Sequence, residues 1–140
     1  MAISYDVDDS MFPIVRTYLD DRMDLAELDR MIARYYDMVI ERGEPYVSVV
    51  DAREVRTIPT ARMRRVIGDQ RRRAADRGVD RLIRGIAVVT SNPLLHSTLS
   101  VVEWIAPLAT TWTVTETPDE AIAWALKRLG VPPRDAARRR

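Results

Sequence analysis

Polar side chains that could contact a small anion or a partner protein follow two apolar segments of the sequence. Asp51 and Arg53 come directly after the first segment, and Thr90, Ser91 and Asn92 follow the second. Ligands collect beyond the carboxyl ends of parallel strands, so these side chains would share one edge of a sheet. A structural role explains the same residue types, as a loop-fixing ion pair between Asp51 and Arg53 and as helix caps. The candidate polar rim comprises Asp51, Arg53, Thr57, Thr60, Ser91 and Asn92.

His96 is the only histidine, and the chain contains no cysteine. A metal site would need further ligands at short spacing from His96, and a general base would need a positioned nucleophile and an orienting partner. The chain also lacks a glycine-rich phosphate loop, a Walker lysine and a nucleophile elbow. We therefore predict no catalytic residue, no metal and no cofactor, and we assign His96 to the surface or to an interface.

Charge is distributed unevenly along the chain, although the formal net charge is only +1. Residues 1–51 carry 12 acids and 5 arginines, a net −7, whereas residues 52–85 carry 11 arginines and 4 acids, a net +7. Such an arginine cluster could bind the phosphates of nucleic acid or anionic lipid. Residues 60–84 contain no aromatic side chain for base stacking, so we favour salt bridges to the acidic first helix over nucleic-acid binding. The arginines predicted on the outer face of the second helix are Arg62, Arg64, Arg65, Arg71, Arg72, Arg73 and Arg77.

The order of apolar segments predicts one α/β domain over residues 1–130, followed by a flexible basic tail over 131–140. Its fold would be a single mixed, mostly parallel five-stranded sheet with four helices, in the order β-β-α-β-α-β-α-β-α. A turn at Asp8–Ser10 would join the first two strands as an antiparallel hairpin, and the apolar third strand would lie at the sheet centre. The predicted strands span 3–7, 14–19, 46–51, 85–90 and 110–115, and the predicted helices span about 25–42, 60–78, 93–106 and 118–129.

The predicted third helix carries more apolar surface than one side of a sheet can cover. One stripe of the helix would face the sheet, and a second stripe would remain exposed to solvent unless another molecule packed there. We therefore predict a homodimer or protein-partner surface on this helix. The candidate interaction surface comprises Leu94, Val101, Trp104, Ile105 and Leu108.

The chain resembles the SpoIIAA-like group of the STAS superfamily, which includes bacterial STAS/CRAL-TRIO-like proteins. The resemblance is carried by residues 49–53 (Val-Val-Asp-Ala-Arg), 85–89 (Gly-Ile-Ala-Val-Val) and 119–125 (Asp-Glu-Ala-Ile-Ala-Trp-Ala), together with the apolar third helix. It implies a SpoIIAA-like fold and a non-catalytic regulatory or protein-interaction role. The CRAL-TRIO-like relatives imply an alternative, the binding of a small apolar, lipid-like ligand. Anti-sigma-factor antagonists of the superfamily carry a phosphorylatable serine after the central strand, where this chain offers only Thr57 or Thr60.

The amino terminus lacks the basic flank and apolar core of a signal peptide. No apolar run approaches the roughly 20 residues needed to span a bilayer. The absence of cysteine is typical of a reducing compartment. We therefore expect a cytoplasmic protein without a transmembrane segment.

Overall fold

The computed structural model describes residues 7–20, 22–56, 60–92 and 110–130. Five strands and three α-helices lie in these ranges, and a single 3₁₀ turn (Val79–Arg81) follows the second helix. The elements are β1 (Val7–Met11), β2 (Ile14–Asp20), α1 (Leu25–Arg42), β3 (Tyr46–Glu54), α2 (Ala61–Asp76), β4 (Ile83–Val89), β5 (Trp112–Thr115) and α3 (Pro118–Leu129).

The strands form one mixed sheet in the order β1-β2-β3-β4-β5. β1 pairs antiparallel with β2, and β2 to β5 are parallel to one another. The α/β class, the five-stranded sheet, the antiparallel first pair and the central position of β3 are therefore confirmed. Three of the four predicted helices are also present. The remaining one, predicted over residues 93–106, and the predicted tail over 131–140 lie outside the described residues.

The first hairpin differs from its prediction. We expected a turn at Asp8–Ser10, but these residues lie within β1. The Asp8 carboxylate accepts a hydrogen bond from the Ser10 backbone N–H at 2.9 Å, and the pairing register shifts between Asp8 and Met11. Asp8 thus makes the side-chain hydrogen bond that aspartate commonly makes in turns, but it does so within a strand whose pairing is irregular. The actual turn follows, where the Phe12 N–H donates to the Asp9 carbonyl at 3.0 Å.

The helix ends follow the capping signals of the sequence. Asp24 and Glu27 form a reciprocal capping box at the start of α1, and Gly43 ends that helix with a φ of 65°. Thr117 caps α3 through a hydrogen bond that its hydroxyl accepts from the Glu120 N–H at 3.2 Å. These contacts confirm the predicted positions of both helices.

The sheet buries a different set of side chains on each face. Leu19, Val50 and Ile86 lie on the face covered by α1 and α2, which we call the α1/α2 face. Val49 and Ala87 lie on the opposite face, against α3, which we call the α3 face. Alternation along each strand produces this division, because successive side chains point to opposite sides of a sheet.

Candidate ligand-binding pocket

A cavity of about 100 Å³ lies between the α1/α2 face of the sheet and the two helices that cover it. Its walls are mostly apolar and come from three strands and both helices. It extends from the amino ends of β3 and β4, where Tyr46 and Ile83 lie, to Leu19 near the carboxyl end of β2. Apolar residues that line it include Leu19, Leu28, Met31, Ile32, Ile67 and Ile86.

Three tyrosines and a serine belong to the polar part of the wall, which also includes Thr17, Arg71, Asp80 and Thr110. Tyr35 and Tyr36 follow Met31 and Ile32 by one helical turn on α1, so the helix period brings all four residues to the same cavity. The Tyr35 hydroxyl donates a hydrogen bond to the Tyr46 hydroxyl at 3.0 Å. Ser48, two residues after Tyr46 and therefore on the same face of β3, also lines the cavity.

Burial keeps these phenols protonated. Desolvation raises the pKa of Tyr35, Tyr36 and Tyr46 above the ordinary value of 10.0, and the nearby positive charge of Arg71 opposes the shift in each case. A neutral phenol is both a donor and an acceptor of hydrogen bonds. The pocket therefore presents hydroxyl groups rather than phenolates at neutral pH.

Tyr36 differs from the other two tyrosines in its hydrogen bonding. Tyr35 and Tyr46 bond to each other, whereas the Tyr36 hydroxyl has no hydrogen-bond partner among the residues that the structure describes. Its ring contacts that of Tyr35 edge-on, with 5.0 Å between the centroids. Tyr36 therefore supplies a fixed aromatic wall and a hydroxyl available to an incoming molecule.

Arg71 lines the pocket instead of the outer face of α2, which corrects its predicted position. It lies four residues after Ile67 and three before Ala74, so it shares the inward stripe of the helix. Its side chain is only 16% exposed and forms an ion pair with Asp80 at 3.1 Å. The helical spacing from Ile67 and Ala74 indicates this inward position, but the run of neighbouring arginines suggested an exposed one.

The other arginines of α2 lie at the surface as predicted. Arg77 forms an ion pair with Asp37 of α1 at 2.7 Å, and Arg72 pairs with Asp69 of its own helix. The expected salt bridge between the arginine-rich helix and the acidic first helix is thus present at Arg77. Within the described ranges no ion pair involves the exposed side chains of Arg62, Arg65 and Arg73.

The predicted polar rim lies apart from the pocket. Asp51 and Arg53 form a two-pronged ion pair with distances of 2.9 and 2.7 Å, as in the structural reading of these residues. The Thr60 hydroxyl caps α2 by accepting a hydrogen bond from the Met63 N–H at 3.1 Å. The structure therefore gives these three side chains local structural contacts, and none of them lines the cavity.

The second part of the predicted rim follows β4. The Asn92 N–H donates to the hydroxyl of the buried Thr90 at 3.1 Å, and Ser91 is exposed. Neither Ser91 nor Asn92 lines the cavity. Thr57 lies outside the described residues.

The predicted interaction surface and the single histidine also fall outside the described residues. These positions are Leu94, His96, Val101, Trp104, Ile105 and Leu108. In the part of the chain that the structure describes, no group of three or more His, Cys, Asp or Glu side chains could hold a metal ion. No helix in the same ranges has the length and apolar character required to cross a membrane.

Comparisons with protein-family models, with characterised proteins and with solved structures find no match to this chain.

Proposed function

We propose that this protein is a non-catalytic binding module for a small, mostly apolar molecule, which occupies the pocket between α1, α2 and the sheet. The cavity carries this proposal, because it is a concave, partly open space that the two helices leave unfilled on the face of the sheet. Its apolar walls and small number of converging polar groups are typical of ligand sites. Of the alternatives that the sequence left open, ligand binding is therefore the one with support in the described residues.

The polar groups of the pocket favour binding over catalysis. The tyrosines are protonated donors, and the charge of Arg71 is balanced by Asp80 at 3.1 Å. Ser48 lines the cavity together with Tyr35, a phenol that burial keeps protonated and that is not a base at neutral pH. A serine nucleophile would need a neighbouring base to remove its proton. The arrangement orients a ligand by hydrogen bonding instead of activating an attacking group.

The volume of the pocket limits what it can hold. Sites for drug-sized molecules occupy roughly 300–1,000 Å³. The cavity of about 100 Å³ is well below that range. A whole lipid chain, which the CRAL-TRIO-like relatives suggested, is therefore a poorer match than a compact molecule.

A titration followed by methyl NMR tests this function. The methyl group of Met31 lines the cavity, and that of Met11 packs on the α3 face as an internal control. We expect cyclopentanone, methylenecyclopentane, or both to shift the Met31 signal in a saturable manner and to leave Met11 unchanged. Saturable binding of neither compound would contradict the proposal.

Two matched isoleucine variants locate the binding. Ile67→Trp fills the cavity from α2, whereas Ile122→Trp places the same bulk on α3, where Ile122 packs against the opposite core. Binding should be lost in Ile67→Trp and retained in Ile122→Trp. If Ile67→Trp does not fold, Ile32→Trp fills the same cavity from α1. Retention of binding in a folded cavity-filling variant would contradict the assignment.

Three further predictions from the sequence remain proposals. The consecutive strand order supports a SpoIIAA-like assignment within the STAS superfamily, with its regulatory, cytoplasmic role. Self-association through the candidate interaction surface stays a prediction, because those residues lie outside the described ranges. The exposed arginines of α2 support anion binding by this helix. The ion pair between Arg77 and Asp37 weakens that support, because it already neutralises one of the arginines.

A further inference from the structure

The hydroxyl of Tyr36 is a hydrogen-bond donor that the described protein groups leave unused. Tyr36 lines the pocket, and no described residue accepts its proton. This hydroxyl is not among the buried polar atoms that lack a partner, so water reaches it, and an acceptor on a bound molecule would replace that water with the modest net gain of a typical hydrogen bond. The pocket is therefore suited to a ligand with an acceptor atom near Tyr36.

The charges beside the cavity favour a neutral ligand over an anion. The positive charge of Arg71 acts on all three tyrosines, and its ion-pair partner Asp80 also lines the pocket. An entering carboxylate would have to lose its hydration and would meet the negative charge of Asp80 as well as the positive charge of Arg71. A carbonyl or ether oxygen has a much smaller desolvation cost and needs only the hydroxyl donor.

The size of the cavity sets the size of the ligand. An engineered apolar cavity of roughly 150 Å³ binds benzene, which has six non-hydrogen atoms. A cavity of about 100 Å³ with one partly open side therefore suits a ring or branched group of about six such atoms.

We propose that the ligand is a small neutral molecule of about six non-hydrogen atoms, mostly apolar, with one acceptor oxygen that accepts a hydrogen bond from the Tyr36 hydroxyl. This inference rests on the proposed binding function and adds the chemical class of the ligand. Ketones, lactones and cyclic ethers of this size belong to the class.

Three compounds of matched size test the class. Cyclopentanone and methylenecyclopentane differ only in whether oxygen or a CH₂ group completes the double bond, and isobutyrate offers a carboxylate with the same number of non-hydrogen atoms. Each is titrated into the wild type, Tyr36→Phe and Tyr18→Phe, with the Met31 methyl signal as the readout. Tyr18 is a matched control, because it pairs with Asp51 on the α3 face of the sheet, away from the cavity.

We expect the wild type to bind cyclopentanone about fivefold more tightly than methylenecyclopentane, as one net hydrogen bond would give. Tyr36→Phe should reduce that ratio to near one, and Tyr18→Phe should leave it unchanged. Isobutyrate should bind more weakly than cyclopentanone in all three proteins.

The outcomes separate this inference from the proposed function. If neither neutral compound binds, the binding function itself fails. If both bind equally well, or if Tyr36→Phe still prefers cyclopentanone, the binding function is retained. The proposed hydrogen bond from Tyr36 to the ligand is then wrong. Tighter binding of isobutyrate than of cyclopentanone would overturn the neutral class.

Discussion

Position 85 requires a glycine because the ring of Trp124 occupies the space where a side chain would begin. A Cβ atom at Gly85 would lie 2.6 Å from Cη2 and 2.9 Å from Cζ3 of Trp124. Both distances are shorter than van der Waals contact, so the ring or the helix that carries it must move. This contact fixes how closely α3 approaches β4.

Gly85→Ala should therefore destabilise the protein by about 1–3 kcal/mol through overpacking. The measurement is the free energy of unfolding from urea denaturation. In a Trp124→Leu background the same change should cost at least about 1 kcal/mol less, because the obstructing ring is absent. An equal cost in both backgrounds would contradict this explanation.

Gly68 is the matched control for that substitution. It lies within α2, and a Cβ at this position meets no atom within 4 Å apart from its chain neighbours and the nearby backbone of its own helix. Gly68→Ala should stabilise the protein by up to about 1 kcal/mol, since alanine has the higher helix propensity. The two glycine-to-alanine changes should thus have opposite signs.

The buried tyrosines should make the protein sensitive to alkali. Burial raises the pKa of Tyr46 in the folded state above its ordinary value of 10.0. The stability contributed by the neutral phenol is complete below pH 10 and declines as the pH rises, because the unfolded chain loses the proton first. We expect Tyr46→Phe to flatten the loss of unfolding free energy above pH 10 by up to about 1.4 kcal/mol per pH unit. An unchanged slope in denaturation experiments between pH 8 and 11.5 would contradict this prediction.

The contacts of the pocket residues were harder to predict from sequence than the helix caps. A cap depends on two residues a few positions apart, as in Asp24 and Glu27, so local spacing is sufficient. The Tyr35–Tyr46 hydrogen bond joins a helix to a strand, and the ion pair of Arg71 depends on the path of the chain after α2. Such contacts are known only once the elements are placed in three dimensions.

At the scale of elements, α1 depends on its first turn. The Asp24 carboxylate accepts a hydrogen bond from the Glu27 N–H at 2.8 Å, and the Glu27 carboxylate accepts one from the Asp24 N–H at 3.3 Å. Two backbone donors that have no partner within the helix are satisfied in this way. Because α1 forms one wall of the pocket, its stability bears on the site as well as on the fold.

Asp24→Ala should lower the free energy of unfolding by about 0.5–2 kcal/mol, as the loss of a helix cap does. Asp24→Ser keeps an acceptor oxygen at the cap and should recover most of this loss. Chemical denaturation of the two variants beside the wild type gives the comparison. Equal stability of the alanine and serine variants would show that the cap contributes little.

Strand boundaries were predicted less accurately than helix boundaries. The predicted turn at Asp8–Ser10 has the residue types of a turn, yet it lies within β1, since pairing with β2 extends across it. Strand pairing depends on a partner elsewhere in the chain, so turn propensity alone cannot decide it. The helices have caps in their own sequence, and the positions of α1 and α3 were predicted to within a residue or so.

At the scale of the whole molecule, the sheet separates two environments. α3 packs closely on β3 and β4 through small residues such as Ala121 and Ala125. The opposite face carries longer side chains from α1 and α2, and the pocket lies among them. Ligands tend to bind beyond the carboxyl ends of parallel strands, where Asp51 and its neighbours lie, whereas this cavity lies under the helices and extends along β2, β3 and β4.

A crystal structure of the protein soaked with cyclopentanone tests the central claim most directly. We predict that the ring lies between Met31 and Ile67, with its carbonyl oxygen about 2.6–3.0 Å from the hydroxyl oxygen of Tyr36. An empty cavity at a saturating concentration of cyclopentanone, or a ring bound elsewhere on the protein, would contradict this prediction.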